Sequence, residues 1–122
     1  MAKKILIADD EQNIVISLEF LMKREGFEVL IANDGEEAVR RIRSDPPDLV
    51  LLDVMMPKKS GFEVCQEIKA DPALAAVRIL MLTAKGRDTE VAKGLALGAD
   101  AYMTKPFSTK ELVEKVRSML GA

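Results

Sequence analysis

The chain reads as an α/β protein of three layers. It is a doubly wound (βα)5 unit whose five-stranded parallel sheet carries helices on both faces. Three observations predict this. Strand and helix signals alternate from end to end without interruption. The run Leu49-Val50-Leu51-Leu52 is continuously apolar, as a strand buried on both faces requires. The 122 residues, 48% hydrophobic and 31% charged, suffice for one domain with one core, spanning 1–122.

Taken in order, residues 3–8 read as strand, 11–25 as helix and 27–32 as strand. In the first helix Ile14, Leu18, Leu21 and Met22 form a stripe at helical spacing, and Gly26 supplies the C-terminal stop. Residues 35–44 read as helix, opened by Asp34 with Glu37 in capping-box spacing and closed by Asp45-Pro46-Pro47. Residues 48–53 form the central strand and 61–70 the next helix. Residues 77–83 read as strand and 87–97 as helix, ended by Gly98. Residues 101–104 form a short polar strand and 108–120 the last helix. That helix is opened by Ser108 with Glu111 and striped by Leu112, Val113, Val116, Met119 and Leu120. The strands at 27–32 and 101–104 suit the sheet edges. The fourth helix is the weakest, because its apolar positions are few or small. Gly94 in its interior costs roughly 1 kcal/mol against Ala, and a poorly anchored helix is the one most easily moved.

A net charge of −2, with both signs spread along the chain, makes no electrostatic case for nucleic acid or an anionic membrane. Only four apolar residues precede Asp9 in the opening strand, too few for a signal peptide, and no stretch approaches membrane-spanning length. Cys65 is alone, which fits a reducing cytoplasm and the role of a small apolar filler. The absence of histidine removes His-ligated metal and a His general base.

The chemistry lies at the strand ends. The first strand ends in Asp9-Asp10, the third in Asp53, the fourth in Thr83 and the fifth in Lys105-Pro106. In an open parallel sheet these ends share one edge, where ligands bind. Three carboxylates at one site repel each other. With only oxygen ligands they select a hard divalent cation such as Mg²⁺. An aspartate beside Mg²⁺ and an ammonium group can attack an electrophilic phosphorus and hold the acyl phosphate. Each residue has a plainer reading: Asp9-Asp10 as helix caps, Thr83 as a strand end, Lys105 as a solvated loop lysine. Asp53 is harder to dismiss, since an aspartate closing a core strand has no structural task.

Four segments carry a resemblance: Leu6-Ile7-Ala8-Asp9-Asp10-Glu11, Leu51-Leu52-Asp53-Val54-Met55-Met56-Pro57, Leu82-Thr83-Ala84, and the run from Gly98 to Phe107. In this order, and with 30 residues from Asp53 to Thr83 and 22 from Thr83 to Lys105, the chain resembles the response regulator receiver domains of two-component phosphorelays. The stand-alone, chemotaxis-regulator type is the nearest kind. The resemblance implies a flavodoxin-like strand order 2-1-3-4-5. It implies that Asp53 accepts a phosphoryl group from a histidine kinase or phosphotransfer protein. It also implies that Asp10, Asp53 and the Met55 backbone carbonyl bind Mg²⁺, with Asp9 acting through water. Lys105 would contact Asp53 and then the phosphoryl group. Thr83 would move to the phosphoryl group and Tyr102 would turn inward behind it. Ala84 would leave room, and Pro106 would follow a cis peptide.

The expected function is therefore a cytoplasmic signalling switch, not an enzyme with an external substrate. It would change its surface over the fourth helix, last strand and last helix to control a protein partner. Because the chain ends at Ala122, a stand-alone monomer is expected, with at most a weak dimer on phosphorylation; the alternative is the receiver fragment of a longer DNA-binding regulator. Ala96, Ala101 and Lys115 depart from the charged residues that winged-helix regulators use to dimerise, and Arg and Lys are not equivalent in such pairs. Lys59 stands where an apolar residue is usual. Met55 and Lys85 occupy positions that tune phosphoryl lifetime, and apolar Met55 predicts slow self-dephosphorylation. A haloacid-dehalogenase-type phosphohydrolase is disfavoured because Asp9 and Asp10 are adjacent rather than in an Asp-x-Asp pattern. A degenerate scaffold is disfavoured because the constellation is complete.

Overall fold

The computed structural model describes residues 2–84 and 88–121. Its elements are β1 (Lys4–Ala8), α1 (Gln12–Arg24), β2 (Glu28–Ala32), α2 (Gly35–Ser44), β3 (Leu49–Asp53), α3 (Gly61–Lys69), β4 (Arg78–Ala84), α4 (Asp88–Ala96), β5 (Ala101–Lys105) and α5 (Thr109–Leu120). All strand pairings are parallel and the sheet order is β2-β1-β3-β4-β5. The fold class, the strand order and the two edge strands agree with expectation. A 3₁₀ turn at Pro72–Leu74, capped by Asp71, was not anticipated. Lys85, and residue 87 where the fourth helix was expected to begin, lie outside the described residues.

Two hydrophobic layers explain why the central strands are apolar throughout. Side chains alternate between sheet faces. Leu6, Val50, Leu52, Ile79 and Met81 enter one layer with α2 and α3. Ile5, Ile7, Leu49, Leu51, Leu80 and Leu82 enter the other with α1 and α5. No position on β1, β3 or β4 that faces a helix layer is free to be polar until the strand leaves the core. Among the described residues no helix is long and apolar enough to cross a membrane.

Helix termini follow the predicted signals with local changes. Gly26 and Gly98 adopt positive φ, +92° and +107°, where the chain turns out of α1 and α4. Asp34 accepts from Glu37 N at 2.8 Å, but the return arm reaches one residue further, Glu37 Oε1 accepting from Asn33 N at 2.7 Å. Ser108 accepts from Glu111 N at 3.0 Å, while its hydroxyl donates back to the Glu111 carboxylate. The complete reciprocal box is Ser60 with Glu63 at the start of α3, which the sequence reading overlooked. Cys65 is buried, and burial pushes its thiol up to about 11, which makes it an inert filler.

Candidate functional site

Register alone assembles the site. Ala8 pairs with Leu52, which brings Asp9 alongside Asp53. Asp53 pairs with Leu82, and Ala84 pairs with Lys105, so Thr83 and Lys105 emerge on the same edge. Asp9, Asp10 and Asp53 each place a carboxylate oxygen within 4.8 Å of the others. Lys105 Nζ lies 3.1 Å from Asp9 Oδ2, 3.3 Å from Asp53 Oδ1 and 3.8 Å from Glu11 Oε1. The Lys105–Pro106 peptide is cis.

The plainer reading of Asp9-Asp10 as helix caps does not match the geometry. The N-cap of α1 is Glu11, which makes no side-chain cap bond. Asp10 is exposed at the cluster, while Asp9 is fully buried and accepts from Glu11 N at 2.9 Å. Asp9 therefore does a little turn-forming work and gives its other oxygen to Lys105.

A cavity of about 310 Å³ opens at these groups, lined by Asp10, Glu11, Asp53, Val54, Met55, Ala84, Glu90 and Lys105. Burial and the neighbouring Asp9 raise the Asp53 carboxyl to about 6, against the opposing pull of Lys105. Burial alone would lower Lys105, but Asp53 and Asp9 raise it above the ordinary lysine value. Among the described residues, the Lys105 ammonium alone faces several carboxylates. This donor set is all oxygen, and it suits a hard divalent cation.

Met55 lines the cavity, is 71% exposed, and its backbone hydrogen-bonds Asp53. Lys59 forms a 2.8 Å ion pair with Glu67 on α3, so it is neither free nor apolar. Two expected site residues stand apart from Asp53. Thr83 is buried and donates its hydroxyl to Glu90 Oε1 at 3.0 Å. Tyr102 is 45% exposed in a surface cleft with Leu95, Glu111 and Lys115.

Three residues of the site escaped the sequence reading. Glu90 and Glu11 line the cavity, but a carboxylate at or just before the first turn of a helix carries no distinguishing signal. Gly61 is the third. A Cβ there would overlap the Asp53 carbonyl oxygen and sit 3.0 Å from its carbonyl carbon and from Val54 Cα. The intervening loop closes with Lys59 N donating to Pro57 O at 2.8 Å across Lys58, whose φ is +70°. Gly61 N donates to Val54 O at 2.8 Å, so α3 begins directly against the aspartate's backbone.

Comparison with known proteins agrees with this geometry. The profile of the response regulator receiver domain family matches residues 5–117. The chain is 47% identical over 120 residues to the alkaline phosphatase synthesis transcriptional regulatory protein PhoP of Bacillus subtilis, covering 98% of this chain and 49% of that protein. It therefore spans about half the length of that curated relative. A crystal structure of a putative response regulator from Chloroflexus aurantiacus superimposes with a TM-score of 0.95, at 34% identity and over the whole of both chains. The receiver domain of the sensor histidine kinase PA1611 from Pseudomonas aeruginosa, which has a magnesium ion coordinated in its active-site cleft, gives 0.91 at 27% identity over both full chains. With its strand order, its acidic edge and these relatives in agreement, the chain belongs to the response regulator receiver domain family of two-component signalling.

Proposed function

We propose that the chain is a phosphoacceptor switch in which Asp53 takes a phosphoryl group from a phosphohistidine on a histidine kinase or phosphotransfer protein. The observation that carries this is the Asp53 carboxylate at the mouth of a buried strand, 3.3 Å from Lys105 Nζ and clustered with Asp9 and Asp10. An Asp53 oxygen attacks phosphorus. The new O–P bond forms as the donor N–P bond breaks, and the imidazole nitrogen leaves with the electron pair. Lys105 pairs with a phosphoryl oxygen, and small Ala84 leaves space at the cavity wall. Asp9, Asp10, Asp53 and the Met55 carbonyl are the groups that would hold Mg²⁺, which when bound neutralises carboxylate and phosphoryl charge. Without a bound cation, burial holds the Asp53 carboxyl up at about 6, so near neutral pH it is largely ionised and therefore nucleophilic.

The phosphoryl group adds about −1.5 to −2 charge at this edge and draws Thr83 towards it. Tyr102 then turns into the space Thr83 leaves, and the surface of α4, β5 and α5 changes for a protein partner. The setting proposed for this cycle is the cytoplasm. A second reading has a specific observation behind it. The 47% identity spans half of a transcriptional regulatory protein, so the chain is also suited to be the receiver portion of such a regulator. The phosphoryl chemistry is the same in both. Next to β5, Asp100 is engaged within the chain, by Lys69 Nζ at 3.0 Å and Ile79 N at 2.8 Å.

The test is intact mass after incubation with Mg²⁺ and acetyl phosphate. A gain of roughly 80 Da is expected, lost when Mg²⁺ is omitted and in Asp53→Asn. A gain that survives Asp53→Asn would overturn the assignment.

A further inference from the structure

The loop between β3 and α3 carries Met55, whose backbone hydrogen-bonds the Asp53 carboxylate and whose carbonyl is one of the groups proposed above for Mg²⁺. The ends of this loop are fixed, Val54 N donating to Leu82 O at 3.2 Å and Gly61 N to Val54 O at 2.8 Å. Between them Met55, Pro57 and Lys58 are exposed. Side-chain ties there are few: Met56 packs on the core, Lys58 Nζ stands 3.9 Å from Asp34, and Lys59 Nζ 2.8 Å from Glu67. Ion pairs this open to solvent hold little. A backbone tie comes from α2. Its first residue, Gly35, is buried and donates its N–H to Pro57 O at 3.3 Å, the same carbonyl that accepts from Lys59 N at 2.8 Å. A Cβ on Gly35 would overlap the Lys59 carbonyl oxygen and Cβ and sit 2.7 Å from its carbonyl carbon.

We propose that Gly35 is a positioning residue for the Asp53 site: its missing side chain lets α2 seat on the Pro57–Lys59 backbone, and that seat holds Met55 where the cluster takes Mg²⁺ most tightly. This rests on the phosphoacceptor reading above. An added Cβ is not absorbed by the helix, because Ala38, Val39 and Ile42 anchor α2 in the close-packed core. Nor is it absorbed by a side-chain rotation, since it meets the Lys59 backbone. The exposed loop gives way instead. With both its ends pinned, the shift is taken up between them, in the stretch that includes Met55. Lys58 in that stretch holds φ at +70°, a conformation that residues with side chains rarely adopt. The loop therefore keeps a shape that its surroundings impose. No residue of α2 lines the Asp53 cavity, so the helix acts through the loop, as the outer partners of a metal site commonly do.

Calorimetric titration of the whole chain with Mg²⁺ tests this. Gly35→Ala is expected to bind Mg²⁺ about tenfold more weakly than wild type. Val39→Ala trims the core face of the same helix, and should lower stability while leaving the Mg²⁺ dissociation constant unchanged. A second measurement needs no variant. Linkage is reciprocal, so saturating Mg²⁺ should slow hydrogen exchange at the wild-type Gly35 amide several-fold, read by NMR, although that residue is far outside the set of metal ligands. This decides the matter on its own if Gly35→Ala does not fold. Wild-type affinity in folded Gly35→Ala, an equal loss in Val39→Ala, or a Gly35 amide indifferent to Mg²⁺ would each overturn the inference and leave the phosphoacceptor reading standing. A wild-type chain that binds no Mg²⁺ would overturn the metal-dependent reading itself, and this inference with it.

Discussion

Helices α2 and α4 lie on the same face of the sheet, with α3 between them, yet they are built to opposite standards. α2 buries Ala38, Val39 and Ile42 in the core and has a side-chain cap at Asp34. Its first residue, Gly35, approaches so closely that a Cβ would overlap the Lys59 carbonyl oxygen, and its N–H donates to Pro57 O at 3.3 Å. It therefore braces the loop that follows Asp53. α4 buries Gly94 alone and leaves Leu95 43% exposed. The difference teaches where a switch stores its mobility. The carboxylates stand at the ends of strands clamped from both faces, while Thr83, the residue proposed to respond, is hydrogen-bonded to the loosely held helix.

The sharpest way to break this comparison is a matched pair of truncations. Ile42→Ala in α2 should cost about 3–4 kcal/mol of stability, and Leu95→Ala in α4 less than about 1 kcal/mol, by urea denaturation. Similar losses at both positions would erase the contrast. Next in size is Gly61→Ala, which forces the Asp53–Val54 backbone to move. A loss of about 2–3 kcal/mol and about tenfold slower phosphoryl gain from acetyl phosphate are expected together. Loss of stability with an unchanged rate would show that Gly61 does not set the aspartate.

A third outcome concerns charge on the rigid side. Asp53 is raised to about 6 in the fold from an ordinary 3.8. Between those values the folded protein keeps a proton that the unfolded chain has lost. Stability therefore falls as pH rises through that window, and the penalty is complete above about 6. Without divalent cation, Asp53→Asn should be about 1–2 kcal/mol more stable than wild type near pH 7.5. The gain should shrink as pH falls towards about 4. An equal gain at both ends of the range would mean that ionisation is not its source. The smallest effect is Gly94→Ala. The added Cβ would meet Met81 Cγ at 3.5 Å and Phe62 Cε1 at 3.7 Å, ordinary contact distances. It should stabilise by about 0.5–1 kcal/mol in the same denaturation experiment, because a helical glycine is replaced without a clash.

What the amino-acid order revealed, and what it hid, divides along physical lines. The continuous run Leu49-Val50-Leu51-Leu52 and the stripes of α1 and α5 announced the sheet and its helices, since burial on two faces or one leaves a periodic mark. Asp9, Asp10, Asp53 and Lys105 were readable as a cluster because a parallel sheet sends strand ends to one edge. The tie between Thr83 and Glu90 was not readable. It depends on how the first turn of α4 is set against β4, and no periodicity encodes that. Gly94 looked only like a weakness in a helix, whereas it marks where α4 approaches Met81. The task of Asp100 was hidden for a similar reason: just before β5 it accepts from Ile79 N and Lys69 Nζ, partners that only the fold brings to it. Lys69 Nζ also reaches the Val77 carbonyl at 3.0 Å, a contact that depends on the bend after α3.

The strand order carries a temporal consequence. β1 lies between β2 and β3, so the first 53 residues already contain three adjacent strands and every carboxylate of the metal-suited cluster. The ammonium that relieves their repulsion comes from Lys105, at the end of the last strand to be synthesised. A nascent chain therefore assembles its repulsive half first and its compensating charge last, so the final strand completes the electrostatics as well as the sheet. In refolding, Val50→Ala should chiefly slow folding and Met103→Ala chiefly speed unfolding, a division that chevron plots read directly.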